Sequence, residues 1–209
     1  MNGKNEGRGK YLAKNTAIFA IGSIATKLIT FFLVPLYTNI LTQSEYGVVD
    51  LVNTISTVLA PILILNIYEA VLRFALDKDA DYDKIMSIGL TIMGGGILVG
   101  LLIIPISSCF SAVSDYSVYV YFYTISFAAS LLFLSYLRGK EKLVLYSVGN
   151  ILHTLTIAIS NIVFLAVLHK GVEGYFVAYI ISNFVTVLYA FVVGDVKQVI
   201  KNYNLDMKL

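Results

Sequence analysis

The sequence predicts an all-α, polytopic membrane protein: six transmembrane helices in an up-down bundle, with both termini in the cytoplasm. Three observations carry this. Of the 209 residues, 58% are hydrophobic and 13% charged, about half the charge with which a soluble domain clothes its surface. Six stretches reach the roughly 20 apolar residues that a bilayer crossing needs. Finally, with the N-terminus placed inside, every lysine and arginine except Lys27 and Lys170 falls on the inner side or its flanking tails, the bias of a multi-pass protein. An ordinary soluble globule, a disordered chain and a nucleic-acid binder with a dominant basic face are excluded. A single cysteine, Cys109, rules out an intrachain disulfide framework, and two histidines make a histidine-rich metal site improbable.

Residues 1–15 read as a basic cytoplasmic segment (Lys4, Arg8, Lys10, Lys14), and residues 16–193 as one six-helix lobe. The first span, residues 16–41, is too long for a signal peptide, is interrupted by Lys27 and lacks a small-x-small cleavage site, so a retained helix is expected. The second, residues 48–72, follows Thr42-Gln43-Ser44-Glu45, whose spacing is that of a capping box. That box is expected to start a short interfacial helix leading to Tyr46-Gly47. Before the third span, residues 85–106, runs Asp77-Lys78-Asp79-Ala80-Asp81-Tyr82-Asp83. It lacks the glycine and glutamate of a calcium loop, so a solvated loop with Asp83 as cap is expected. Gly89, Gly94, Gly95, Gly96 and Gly100 in this span serve close helix packing or, alternatively, a flexible joint. The fourth span, residues 118–137, opens on Tyr116, Tyr119, Tyr121 and Tyr123, an interfacial aromatic belt or a platform for a sugar face. Spans five and six, residues 148–168 and 175–193, carry Asn150, His153, Asn161, Ser182 and Asn183 as interhelical glue, some of it wetting a cavity. Residues 194–209 form a cytoplasmic tail or connector.

Lys27 is the residue most in need of explanation. An ammonium at membrane depth costs about 2.5–3.5 kcal/mol on insertion scales, and no acid stands mid-membrane on another helix to neutralise it. It reads as a cation awaiting an anionic substrate, the alternative being a lysine held by a carboxylate or by backbone carbonyls. Glu69 and Arg73, four residues apart on one face, read as a self-neutralising pair or as the inner mouth of a pathway, with Asn66 extending the stripe. Asp50 is accounted for by the helix N-terminus. No acid pair, activated nucleophile or phosphate loop is present, so no enzyme and no cofactor are expected.

The stretch Lys27-Leu28-Ile29-Thr30-Phe31-Phe32-Leu33-Val34-Pro35-Leu36-Tyr37-Thr38, followed by Ile40-Leu41, Glu45-Tyr46-Gly47 and Asp50-Leu51, resembles the first two helices of the polysaccharide (oligosaccharide) flippase family. That family belongs to the multidrug/oligosaccharidyl-lipid/polysaccharide exporter superfamily; Glu69-Ala70-Val71-Leu72-Arg73-Phe74 is similar too. The resemblance implies a carrier that moves undecaprenyl-pyrophosphate-linked oligosaccharide across the bacterial inner membrane by alternating access between two lobes of six or more helices. By that resemblance Lys27 and Arg73 would meet the pyrophosphate, Asn66 and Glu69 would line the cavity, and Pro35, Tyr37, Tyr46, Gly47 and Asp50 would be motif positions. The partners implied are the lipid-linked oligosaccharide, membrane lipids and a missing C-terminal lobe or second copy; no nucleic acid is expected. The chain holds one lobe's worth of helices, as in a truncated frame, a fragment or a dimerising half-carrier. A cation-coupled multidrug exporter and a non-transporting structural subunit are the rival readings. The first would need an acid deep in the first helix, where Lys27 stands. A glycan polymerase would need a large extracytoplasmic loop.

Overall fold

The computed structural model describes the backbone of residues 3–202 and the side chains of residue 20, residues 22–24 and residues 26–202. The basic side chains Lys4, Arg8, Lys10, Lys14 and Lys208 lie outside the described residues. The chain forms α1 (Gly3–Ile40), α2 (Gln43–Leu63), α3 (Ile67–Ala75), α4 (Tyr82–Gly100) and α5 (Ile103–Ser108). A 3-10 turn (Ser114–Tyr116) leads into α6 (Ser117–Gly139), α7 (Leu143–Asn161), a π-helical turn (Ile162–Val167), α8 (Gly171–Val193) and α9 (Val196–Lys201). Among the described residues there is no strand, and six segments are long and apolar enough to cross a membrane: Gly22–Ile40, Gln43–Leu63, Tyr82–Ser108, Ser114–Gly139, Leu143–Val167 and Gly171–Val193.

α6 is the centre of the bundle and packs on α2, α3, α5 and α8, while α1 lies at the periphery, mainly against α7. Two buried clusters fill the interior. One, at the end of the α1–α2 turn, holds Tyr37, Tyr123, Leu165, Tyr175 and Phe176. The other, toward the opposite end, holds Met86, Leu132, Tyr136, Val196 and Val199.

Three predicted spans are broken, each for a local reason. The second is not one helix over residues 48–72. After α2, Leu65 and Asn66 adopt the left-handed conformation at φ 49° and 55°. The Asn66 N–H donates to Pro61 O (2.7 Å) and the Leu65 N–H to Ile62 O (3.0 Å), the paired bonds of a Schellman end, which satisfy carbonyls that hydrocarbon would leave bare. In the third span Pro105 cannot donate to Leu101 O and its ring crowds that carbonyl. The helix accordingly interrupts at Leu101–Leu102 with tighter i→i+3 bonds, Leu101 N to Leu98 O and Leu102 N to Val99 O. In the fifth, the buried Asn161 turns its Nδ2 to Ile157 O at 2.9 Å, competing for the carbonyl that its own backbone N–H would use, and the next turn widens to the π form.

The glycines divide by surroundings. A Cβ on Gly96 would stand 2.8 Å from Leu63 O, and one on Gly100 2.9 Å from Ile125 Cδ1. These two bring α4 against the end of α2 and against α6. Gly94 and Gly95 meet nothing within 4 Å. Close packing therefore accounts for Gly96 and Gly100. Gly139 is tighter still, with its Cβ position 2.6 Å from Ala75 Cβ, and it sets α6 on α3.

The helix ends are chemically closed. Thr42 and Glu45 form the reciprocal capping box, but it starts α2 itself rather than a separate interfacial helix. Asp81, not Asp83, caps α4, because its Oδ1 is the acceptor within reach of the Lys84 N–H, at 3.0 Å. Asp83 instead accepts from Asn202 Nδ2 (2.9 Å), pinning the end of α9. Lys140 Nζ donates to Gly194 O (3.1 Å), and Lys142 Nζ to Val193 O (2.9 Å) and to Asp195 Oδ2 (3.2 Å). Two cations thus sit on the negative end of α8. Lys140 also lies over the Tyr82 and Tyr136 rings. Its burial, with the Lys142 charge beside it, holds its ammonium below the usual lysine range.

Replacing Leu65 by Gly removes the cost of a branched side chain in left-handed backbone and is expected to raise stability in detergent by about 1 kcal/mol. Gly96→Val drives a side chain into Leu63 O and is expected to lower it by about 1–3 kcal/mol. Thermal unfolding followed by circular dichroism checks both.

Candidate functional site

α1 buries one narrow face and exposes the rest, where polar residues stand among the apolar Leu28, Phe31 and Phe32. Leu33 and Tyr37 are buried, while Lys27, Thr30, Phe31, Val34 and Thr38 stand exposed at helical spacing on a face that no described residue covers. The threonines answer their own helix: Thr30 Oγ1 donates to Thr26 O (2.9 Å) and Thr38 Oγ1 to Val34 O (3.2 Å). Asn39 Nδ2 donates to Pro35 O (2.8 Å). Lys27 has no such recourse. Among the described residues nothing hydrogen-bonds or ion-pairs with it, and the Lys142–Asp195 ion pair lies elsewhere. At 1.5 Å per residue Lys27 stands about 20 Å along the axis from Ile40. In a core of about 30 Å that is past the mid-plane yet still within hydrocarbon depth.

α2 carries a second uncovered stripe, Asp50, Thr54 and Thr57, at i, i+4 and i+7. Asp50 lies beyond the first turn, where Glu45 already serves the helix N-terminus, so the dipole does not account for it. Gly47 is exposed with open space around it, Tyr46 is half-buried, and Pro35 is exposed on α1.

Glu69 and Arg73 share the exposed side of α3, yet no ion pair within 4 Å joins them. Asn66 does not continue their stripe: it occupies the left-handed N-cap position of α3 without a side-chain capping bond, because the helix has ended at Ile64. Nor are the two cations brought together. Lys27 rides on the helix that packs against α7, and Arg73 on the one that packs against α6 and α4.

Behind the stripes, α6 is tied to its neighbours through buried polar pairs. Tyr123 Oη donates to Asn53 Oδ1 (2.6 Å), and Thr124 Oγ1 donates to Ser56 Oγ (2.9 Å), both joining α6 to α2. Asn183 Nδ2 on α8 donates to Ser126 Oγ (3.2 Å). His153 Nε2 on α7 lies 3.0 Å from Asn183 Oδ1; that oxygen is an acceptor, so Nε2 carries the hydrogen. Ser182 Oγ donates to His153 O (2.6 Å). Such bonds are worth about 0.6–2 kcal/mol each in a membrane.

The tyrosines at the start of α6 do not form a lipid-facing belt. Tyr116, Tyr119 and Tyr123 share one face and set their rings 5.7, 6.2 and 6.5 Å from Phe176. Tyr121 points to α4 and donates to Ile97 O (3.3 Å). Around Phe176, Tyr175 stacks on Tyr179 at 4.5 Å, and Tyr37 packs edge-on to Tyr175 at 5.2 Å. Sequence reading passed over Asn53, Ser56, Tyr175 and Tyr179. The i, i+4 spacing of Tyr175 and Tyr179 was the available signal for one aromatic face.

Tyr123→Phe deprives Asn53 of its donor and is expected to lower stability in detergent by about 1–2 kcal/mol. Lys27→Ala, which breaks no contact with a described residue, is expected to stay within about 0.5 kcal/mol of the parent. Thermal unfolding of the two variants side by side checks the contrast.

No match is found among curated proteins or among solved structures. The model of the polysaccharide biosynthesis protein family, however, matches residues 12–208. It takes in all six apolar spans and both uncovered stripes, and on that match the chain belongs to the polysaccharide biosynthesis protein family.

Proposed function

We propose that this lobe is one wall of a membrane flippase that carries undecaprenyl-pyrophosphate-linked oligosaccharide across the bacterial inner membrane by alternating access, for surface polysaccharide synthesis. The observation that carries the reading is Lys27, a cation at hydrocarbon depth on an uncovered face with no described partner. Leaving it against lipid costs several kcal/mol, whereas a diphosphate in a wet hollow would use it fully. The flanking polar stripe of α2 and membership of a polysaccharide biosynthesis family support the same reading. A second helical bundle, either a C-terminal lobe or another copy, would close the hollow, and rocking of the two about it moves the head group while the polyprenyl tail stays in lipid. Arg73, with Glu69 one turn away on the exposed side of α3, would serve the mouth on the cytoplasmic side. No covalent step is involved. Proton- or sodium-coupled drug export is disfavoured, since α1 offers a lysine at the depth where that chemistry wants an acid.

In the complete protein, Lys27→Ala is expected to reduce glycan export about ten- to a hundredfold, the loss of one charge-assisted contact. Lys27→Arg retains most of it, and lipid-linked oligosaccharide accumulates in the alanine variant at unchanged membrane content of the carrier. Export by Lys27→Ala at the parental rate would overturn the assignment.

A further inference from the structure

We infer that the exposed flank of α2 made by Asp50, Thr54 and Thr57 is the subsite for the sugars of the lipid-linked oligosaccharide, with Asp50 the residue that favours a glycan-bearing lipid over the bare lipid diphosphate. The inference rests on the proposal that Lys27 meets the diphosphate. The exposed surface of α2 is divided in two. Toward α4 and α5, which part from it around an apolar groove, it presents Leu51, Ile55 and Leu59. On the other flank stand Asp50, Thr54 and Thr57. Tyr46, one turn before Asp50 on the same face, packs against the aromatic cluster that buries Tyr37 of α1, so the polar flank is the one next to α1. α1 and α2 run antiparallel from the turn at Leu41–Thr42. At 1.5 Å per residue Thr57 lies about 20 Å from that turn, level with Lys27, and Asp50 about 10 Å from it. A row of polar groups thus begins at the depth of Lys27 and climbs toward the turn.

Chemistry separates the sugars from the other parts of that substrate. An ionised carboxylate repels a diphosphate and gains nothing from a polyprenyl tail. It accepts about four hydrogen bonds, and a sugar ring carries hydroxyl donors side by side. Among the described residues nothing hydrogen-bonds or ion-pairs with Asp50, so its oxygens are free to accept. Thr57 Oγ1 donates to Thr54 O (2.8 Å) and keeps its lone pairs for a ligand hydroxyl. Thr54 Oγ1 makes no such bond and can both donate and accept. A metal ion is poorly served here, since a hard cation takes about six oxygens or more, and no group of three or more metal-ligating side chains occurs among the described residues. The opposite charges of Lys27 and Asp50 also fix the direction in which the ligand lies. The diphosphate stays at Lys27, and the neutral sugars extend along α2 toward the α1–α2 turn.

The test measures binding of two lipids to the complete protein in nanodiscs: undecaprenyl pyrophosphate, and the native lipid-linked oligosaccharide extracted from cells that lack the carrier. Asp50→Ala is expected to bind the oligosaccharide lipid about tenfold more weakly, the loss of a charge-assisted contact. It should hold the bare lipid as the parent does, which also shows that the variant is folded. Lys27→Ala is expected to weaken both. Parental binding of both lipids by Asp50→Ala overturns the inference. Equal weakening of both overturns it too, since Asp50 then pairs with a cation across the hollow rather than with sugar. If Lys27→Ala binds both lipids at the parental affinity, or the parent binds neither, the transport reading falls and the subsite falls with it.

Discussion

A backbone amide or carbonyl in hydrocarbon finds no water, so each must be paired within the chain, and the architecture follows from where that requirement is hard to meet. Regular α-helix meets it automatically. The informative places are those where the helices stop at membrane depth. At Leu65–Asn66 the orphan carbonyls of α2 are taken up by the Schellman bonds from Asn66 to Pro61 and from Leu65 to Ile62. At Leu101–Leu102 they are taken up by i→i+3 bonds, and after Asn161 by a widened π turn. At the end of α8, Lys140 and Lys142 are drawn onto the last carbonyls. Basic residues that the loop count reads only as markers of orientation thus have a structural use as well.

The same rule shapes the interior. Lipid gives helices no hydrophobic reason to prefer one another, so association relies on close contact and on buried polar pairs. Gly96, Gly100 and Gly139 provide the contact, and α6 supplies the pairs through Tyr123, Thr124 and Ser126. Both halves of the interrupted second span are held to α6, α2 by Asn53 and Ser56, and α3 by Gly139 against Ala75 and Leu72. The break is a packed corner rather than a loose joint. What the described bundle leaves uncovered then stands out: Lys27 on α1 and Asp50 on α2 are exposed charges in apolar spans for which the described residues provide no partner.

Much of this was legible in the residues. Six spans, the capping box at Thr42–Glu45 and the cost of a charge at Lys27 follow from local composition and spacing, because hydropathy, capping and charge cost depend on a residue's own chemistry and on neighbours within a turn or two. The family signature around Pro35-Leu36-Tyr37-Thr38 was likewise local. The single helix expected over residues 48–72 failed because hydropathy does not register the left-handed Leu65–Asn66 turn that ends α2. The stripe drawn through Asn66, Glu69 and Arg73 failed with it.

The sequence by itself therefore determined solvent, span number and family, since apolar length and periodic polarity are properties of the chain read in order. Tertiary structure alone decided which polar side chains meet, that Tyr116, Tyr119 and Tyr123 face Phe176 instead of lipid, that Lys27 and Arg73 ride on separately packed helices, and that α2 and α4 part into a groove. The physical reason is that contacts between helices depend on crossing position and depth. These are set by a few close approaches such as Gly96 on Leu63 and Gly139 on Ala75, pairs far apart along the chain that no local pattern can connect.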